Sequence, residues 1–454
     1  MKHKVNPAIF RESDIRGVVD VDLTPESVEW IGRAVGTYLC RNNGKTITLA
    51  WDVRPSSVRY RDIVTRALLS SGCDILEMGL APSPVSYFAQ HHFKSDGGIM
   101  ITASHNPATF NGFKVSINRE CLVGDEIQSL RQLVEKQDFD SGQGSLKKID
   151  AIQPYRKFLQ ESLKFPRPIK VVVDGGNGCF GVVGPSVLRN LGVDLVELHT
   201  QPDGTFPNHH PDPTLPENLK DLVEKVRQEG AEVGIGFDGD MDRIGVVDEK
   251  GKIIWGDQLM ILFARDLLKR FPGAKILGEV KCSQSLFKQI EEYGGIPEMT
   301  AVGHSLIKKT MKSTGALLAG EMSGHIFFAD EFFGFDDALY AACRLLRILG
   351  DSPIPLSQML ADIPETSTTP EIRRDCPDEL KFEVVENMRK YLEERYEIVN
   401  IDGVRINFED GWALVRASNT QPALTLRFEA KTPHRLKEIQ EIIEKPLMQF
   451  CPSI

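Results

Sequence analysis

The chain has 454 residues, 41% hydrophobic and 26% charged, with 38 Gly, 26 Pro and a formal net charge of −10. That length exceeds one ordinary core and, at roughly 100–200 residues per domain, predicts three or four domains. The composition excludes a disordered or fibrous chain, and the acidic balance argues against a broad nucleic-acid or anionic-membrane surface while leaving room for a small basic cleft.

Cys40, Cys73, Cys121, Cys179, Cys282, Cys343, Cys376 and Cys451 lie far apart, with no C-x-x-C pair and no His at metal-ligand spacing, so they read as reduced, packed thiols. The opening MKHKVNPAIF has no apolar h-region, and no run approaches the roughly 20 apolar residues of a membrane helix. The expected location is the cytoplasm.

From the N-terminus, TITLAWDVRPSS predicts a strand and loop, Arg59–Ser71 an amphipathic helix closed by Gly72, and CDILEMG a second strand. The apolar GGIMI leads into TASHNP, Thr102–Pro107, ahead of NGFKV. A serine at the C-terminal end of a buried strand is where open α/β sheets present reactive groups, and Ser104 has His105 beside it and Lys114 further on. Neighbouring side chains on a strand face opposite ways, so the alternative is an ordinary Ser/Asn/Pro turn.

The pattern recurs at IKVVVDGGNG, with a helix over Pro185–Leu191, Gly192 and the strand VDLVELH. The G-x-G-x-x-G register is absent from DGGNG, Asp174–Gly178, so no dinucleotide site is expected there. Between the apolar EVGIGF and IGVVD stands DGDMDR, Asp238–Arg243. Three carboxylates at alternate positions repel one another unless a cation offsets the charge. Glu249 falls where an EF-hand would place its last ligand, but Arg243 occupies the position that needs Gly and a strand replaces the entering helix, which excludes that motif. Oxygen-only ligands with few protein contacts suit Mg²⁺; a solvated acidic hairpin turn is the alternative.

A third copy comprises AKILGEVKCSQS, a helix over Leu286–Tyr293, Gly294–Gly295 and IPEMTAV. Either each copy anchors its own α/β domain with a mixed, largely parallel sheet, or all three join one doubly wound sheet. GEMSGH, Gly320–His325, lies between apolar ALLA and IFFA. Its Glu321, Ser323 and His325 can meet vicinal sugar hydroxyls or make a buried bend held by local hydrogen bonds. The Pro/Thr-rich stretch Pro364–Pro370 predicts a boundary and a hinge, because such composition disfavours packed secondary structure. Beyond it, INFEDGWALVRAS and ALTLRFEAKT read as alternating strands joined by NTQP, with an amphipathic helix from His434 to about Leu447, which fits a small antiparallel α+β domain. RASNTQP, Arg416–Pro422, gathers Arg416, Ser418, Asn419 and Thr420, and the Arg fork matches a phosphate dianion; a plain polar hairpin tip is the alternative.

In this order DIRG at Asp14–Gly17, TASHNP, DGDMDR, GHSLIKKTM at Gly303–Met311, GEMSGH and RASNTQP resemble the alpha-D-phosphohexomutase superfamily, most closely its bacterial phosphomannomutase/phosphoglucomutase branch, along the whole chain. The resemblance implies a four-domain, heart-shaped α/β enzyme: three similar mixed-sheet α/β domains plus a C-terminal α+β domain. The expected domains are 1–150 with the phosphoserine loop, 151–252 with the metal loop, 253–364 with the sugar-specificity loop and 365–454 with the phosphate-binding loop. By the same resemblance Ser104 is the phosphoserine that donates and recovers phosphate. Asp238, Asp240 and Asp242 are ligands of one Mg²⁺ per chain, which also touches Ser104. Glu321 and Ser323 match positions that hold the sugar O3 and O4 hydroxyls, with His325 in the same loop. Arg416, Ser418, Asn419 and Thr420 match the loop that grips the phosphate not being transferred. Arg16, His105, Lys114, Arg243, Lys281 and His304 fall at positions lining the cleft. His304, Lys114 and His105 are candidates for the general base that takes the proton of the substrate hydroxyl.

The implied activity interconverts hexose 6-phosphate and hexose 1-phosphate, of mannose and glucose, through a hexose 1,6-bisphosphate that reorients while bound and also serves as activator. Phosphoglucosamine mutase is the alternative enzyme, although Met322 in GEMSGH resembles the mannose/glucose branch better. A non-catalytic phosphosugar-binding protein is the alternative class, against which the intact Ser104 and Asp triplet speak. The expected partners are small phosphosugars, with no nucleic acid and no membrane, and the expected state is a monomer with a dimer as the alternative. One departure stands out: close relatives in the branch often carry an aromatic residue just before DIRG, where this chain has Ser13, so no ring stands there to stack or shield and a shift in sugar preference is expected.

Overall fold

The computed structural model of the protein describes residues 5–418 and 422–451. Strand runs such as Thr46–Trp51, Lys170–Asp174 and Lys275–Glu279 have buried interiors that are largely apolar. Such runs need cover on both faces, which parallel strands joined by helical crossovers supply. Four separate sheets result, so the three repeats do not merge into one doubly wound sheet.

In spatial order the first sheet runs Ile15–Val18, Phe110–Ile117, Gly97–Ile101, Thr46–Trp51, Asp74–Leu80 and Leu146–Lys148. Its pairs are parallel from Gly97–Ile101 onward and antiparallel before it, and Glu120–Cys121 adds a short hairpin arm. The second runs Ile253–Ile254, Ile244–Asp248, Val233–Phe237, Lys170–Asp174 and Asp194–Leu198, with the last two pairs parallel. The third runs Ile296–Thr300, Lys275–Glu279, Leu318–Gly320 and Ile326–Phe328 and is antiparallel only at its last pair. The fourth is wholly antiparallel and lies against the helices Lys381–Glu393 and Pro433–Phe450. In the first three sheets a parallel strand turns into an antiparallel neighbour, and the loops at those turns carry TASHNP, DGDMDR and GEMSGH.

Several boundaries differ from expectation. The helix expected over Arg59–Ser71 spans Pro55–Ser70, since proline is well placed in a first helical turn, where its missing N–H has no intrahelical partner to lose. The helix expected from Pro185 spans Phe180–Asn190 with Pro185 inside it. A Cβ on Gly181 would strike the Thr200 carbonyl and one on Gly184 the Phe180 ring, so these glycines within the helix serve close packing. INFEDGWALVRAS is itself a hairpin, Val404–Phe408 against Gly411–Ala417, with Glu409 and Asp410 as its two-residue turn. The Pro364–Pro370 stretch is not bare: Ser367 and Thr368 pair with Ala430 and Glu429.

One apolar core runs continuously from Ala50 and Met100 through Val173, Ile235 and Phe263 to Leu346 and Leu356, joining the first three sheets. The C-terminal unit has its own core, built on Met388, Leu392, Ile406, Val415, Phe428 and Ile443. Among the described residues no two cysteines form a disulfide. Among the described residues no helix is long and apolar enough to cross a membrane.

Candidate active site

Ser104 closes the strand Gly97–Ile101 and is nearly buried, with φ +49°, a left-handed conformation that a non-glycine residue holds only under external constraint. The constraint is visible. Its N–H donates to Thr102 Oγ1 at 2.9 Å, and Arg54 grips the loop from behind. The Arg54 guanidinium is fully buried, pairs with Asp52 at 3.0 Å, and donates to the carbonyls of Ser104, Asn106, Pro107 and Phe110 at 2.6–3.1 Å. Because Ser104 has left the extended conformation, His105 does not point to the opposite face. Its Nδ1 lies 3.2 Å from Ser104 Oγ, so adjacency brings the two together after all.

Ser104 Oγ donates to Asp238 Oδ2 at 2.6 Å, joining the first unit to the second. Asp238, Asp240 and Asp242 are all buried, and one oxygen of each lies within 4.8 Å of the others. Asp238 Oδ1 accepts from the N–H groups of Asp242 and Arg243, which curls the loop around its own carboxylate. Asp240 Oδ2 accepts from Ser83 Oγ, Thr102 Oγ1 and Lys114 Nζ, whereas Asp240 Oδ1 has no hydrogen-bond partner among the described residues. Burial and the adjacent Asp242 and Asp240 push Asp238 well above the usual carboxylate range. An all-oxygen set with a buried, unpartnered oxygen and mutually repelling charges fits a hard divalent cation such as Mg²⁺.

The surrounding cations are built in. Lys114 bonds Asp240 at 2.7 Å and also pairs with Asp242. Burial opposes its charge, but Asp240 and Asp242 outweigh that and hold the ammonium above its ordinary value. Arg243 is inside the same cluster, with Nε 3.2 Å from His325 Nε2. His325 bridges Asp242 Oδ1, 3.1 Å from Nε2, and Glu321, which faces Nδ1. Burial works against its imidazolium, yet Asp242 and Glu321 raise it to about 9. Burial likewise opposes ionisation of Glu321, but His325 and the Gly303 N–H bring it down to about 2.

The other expected residues distribute around this centre. Arg16 reaches Asn106 of the serine loop at 2.9 Å and pairs with Asp14. Ser323 Oγ lies 3.4 Å from Glu321. His304 begins the helix His304–Thr314, sits 5.4 Å ring to ring from His325 and 3.3 Å from Asp336. Burial, reinforced by Lys308, lowers its basicity, and burial with Arg243 and Arg16 does the same to His105. Lys281 and Arg416 bond elsewhere: Lys281 faces Glu371 at 3.5 Å, and Arg416 pairs with Asp402 at 2.9 Å. Asp402 also accepts from the Val302 N–H at 3.1 Å, which moors the Arg416 strand beside the Gly303–His304 turn. Ser418 N–H closes the hairpin onto the Ala423 carbonyl. Asn419 and Thr420 lie outside the described residues.

Sequence reasoning did not find Asp52, Arg54, Ser83 or Asp336. Arg54 stands in the DVRPSS loop already quoted, where an Asp-x-Arg pair at a strand end is a weak sign. Ser83 meets Asp240 across 157 residues, and no local pattern announces that contact.

Models of phosphoglucomutase/phosphomannomutase alpha/beta/alpha domains I, II and III match residues 7–141, 149–251 and 255–367, and the C-terminal domain model of the same family matches residues 371–445. A phosphomannomutase/phosphoglucomutase of Pseudomonas aeruginosa is 44% identical over 448 residues, covering 98% of this chain and 97% of that protein. A phosphoglucomutase of Neisseria gonorrhoeae is 43% identical over 437 residues, 95% of each. The crystal structure of a phosphoglucomutase/phosphomannomutase family protein from Burkholderia thailandensis superposes with a TM-score of 0.94 at 39% identity, over 99% of both chains. Four successive domain models and full-length likeness leave one assignment: the chain belongs to the phosphoglucomutase/phosphomannomutase family of phosphosugar mutases.

Proposed function

We propose that this enzyme interconverts hexose 6-phosphate and hexose 1-phosphate, with mannose and glucose as the sugars, by way of a phosphorylated Ser104 and a hexose 1,6-bisphosphate that turns end over end in the cleft. The observation that carries the reading is the 2.6 Å hydrogen bond from Ser104 Oγ to Asp238, which seats a strained, buried serine on a carboxylate triplet. Magnesium bound by Asp238, Asp240, Asp242 and an oxygen on Ser104 would neutralise charge on the phosphoryl group.

In the transfer step the bond between phosphorus and Ser104 Oγ breaks as a bond to the sugar oxygen forms, and the sugar hydroxyl gives its proton to a base. Lys114 is held toward its ammonium form, which supports an electrostatic role for it; burial shifts His105 and His304 toward the neutral ring, which suits a base better. Glu321, held ionised, and Ser323 suit the sugar O3 and O4 hydroxyls. Those positions are common to glucose and mannose, which differ at C2, so the loop tolerates both sugars and, gripping the middle of the ring, both bound orientations. The loop around Arg416 would hold the second phosphate, with Lys281 and Arg16 lining the cleft. The names borne by the relatives support hexoses over amino sugars. The reading includes a cytoplasmic enzyme that works as a monomer.

Intact mass should show one added phosphate, mapping to the peptide that contains Ser104. Ser104→Ala should lower mutase turnover by at least about 10³-fold, and retained turnover would refute the phosphoserine route. Mannose 1-phosphate, glucose 1-phosphate and glucosamine 6-phosphate assayed side by side decide the sugar: conversion of the amino sugar alone would replace this proposal by a phosphoglucosamine mutase.

A further inference from the structure

The loop Asp174–Gly178, which carries no dinucleotide motif, meets two histidines. Asp174 ends the strand Lys170–Asp174, His199 follows Asp194–Leu198, and His209 lies in the long loop before Pro216. One ligand atom from each lies within 4.8 Å of the others. Asp174 is buried, while the rings of His199 and His209 are 19% and 16% exposed, so small ions can reach them from solvent.

His209 Nδ1 lies 2.9 Å from the carbonyl oxygen of His210. A carbonyl only accepts, so this nitrogen carries the hydrogen, and in the neutral ring Nε2 presents a lone pair. That lone pair faces Asp174 Oδ2 at 3.0 Å. Two acceptors at that distance need a positive charge between them, either a second ring proton or a cation. The supporting bonds are those of a metal-holding imidazole: the far N–H is tied to a carbonyl, and the carboxylate is itself oriented, with Asp174 Oδ1 accepting from Gly176 N–H at 2.9 Å. His199 adds a second imidazole, edge-to-face with His209 at 5.3 Å, and its Nε2 lies 3.2 Å from Asp221 Oδ2.

We propose that Asp174, His199 and His209 form a binding site for one zinc-type transition-metal ion, with Asp221 or water as the fourth ligand, distinct from the Asp238–Asp242 centre. Two imidazoles with carboxylate suit tetrahedral Zn²⁺ and disfavour Mg²⁺, which demands oxygen ligands in an octahedron. The ion would join three loops of one domain. Its effect reaches the reaction centre through packing: Cys179 N–H donates to the Gly239 carbonyl at 2.9 Å, and a Cβ on Gly178 would meet that oxygen at 2.6 Å.

The test uses the full chain, stripped by chelator and then held in excess Mg²⁺ so that the carboxylate triplet is occupied. Titration with Zn²⁺ alone by calorimetry should reveal one equivalent that Mg²⁺ does not displace, and Co²⁺ in its place should give the visible spectrum of tetrahedral coordination. His199→Asn and His209→Asn should each weaken that equivalent by more than about tenfold, whereas Asp240→Asn should keep it. Zn²⁺ should raise the melting temperature of the parent protein and of Asp240→Asn but not of the histidine variants. If His209→Asn does not fold, His199→Asn, whose ring is at the open edge, carries the comparison. Absence of a Mg²⁺-resistant equivalent, or its retention at full affinity in the histidine variants, overturns the proposal.

Discussion

Arg54 shows how much one side chain can hold. Its planar fork meets four backbone carbonyls and Asp52 at once, and a lysine ammonium has too few donors in the wrong geometry. Arg54→Lys should therefore lower kcat by about 100-fold through misplacement of Ser104, with KM little changed, and lower the melting temperature; steady-state kinetics and thermal melts check both. Asp337 offers a pH test at a carboxyl that is not itself one of the Asp238–Asp242 triplet. It caps the helix Ala338–Asp351 by accepting from Tyr340 N–H, and it also accepts from Tyr155 OH at 2.8 Å. Burial lifts its carboxyl from 3.8 to about 7, against the lowering effect of those bonds. The folded state then holds a proton that the unfolded chain releases, so stability falls as pH rises from about 4 to about 7 and is level above that. Asp337→Asn keeps the cap and removes the titration. It should stabilise the protein by about 1–3 kcal/mol at pH 8 and by little near pH 4, read as the difference in denaturation midpoint at the two pH values.

At the scale of elements, the centre depends on two loops approaching backbone to backbone. A Cβ on Gly239 would strike the Ser104 carbonyl, so Gly239→Ala must part the serine loop from the metal loop. The expected outcome is a loss of kcat/KM of about 100-fold or more with unchanged circular dichroism, because the strands behind both loops are untouched. Much at this scale is legible from pattern: the repeated strand–loop–helix grammar, the three loops at strand ends and the final helix. The hairpin inside INFEDGWALVRAS and the early start of the Phe180–Asn190 helix were not, since a two-residue turn leaves a short local signal and Gly181 owes its place in the helix to a close approach to the Thr200 carbonyl.

At the scale of the whole molecule, the C-terminal unit stands apart from the common core of the other three and is joined to them by a small apolar cluster of Val280, Trp412 and Leu414 ringed by polar contacts. Arg405, fully buried over the Trp412 ring, donates to the Val280 and Cys282 carbonyls at 2.6 and 2.8 Å, Arg427 reaches the Lys281 carbonyl, and Ser283 reaches Glu429. An interface that carries this many polar contacts beside one small apolar cluster is compatible with domain movement. Arg405→Met should loosen the unit, raising KM for phosphosugar by about tenfold with a smaller effect on kcat and enlarging the radius of gyration in solution scattering. Scattering of the parent protein should in turn show compaction on adding hexose bisphosphate; an unchanged profile would remove support for a hinge at residues 364–370.

Ser104, the Asp238–Asp242 triplet and Glu321 with His325, which the structure gathers into one buried cluster, were readable as candidates because each group stands in a few contiguous positions of one loop. Their family and fold class followed from the order of those loops. What holds them in register was not readable: Arg54 behind Ser104, Ser83 on Asp240, Asp402 between Arg416 and Val302, and the meeting of Asp174 with His199 and His209. Each is a contact between separate chain segments, and burial, not local pattern, gives those side chains their partners and their charge states.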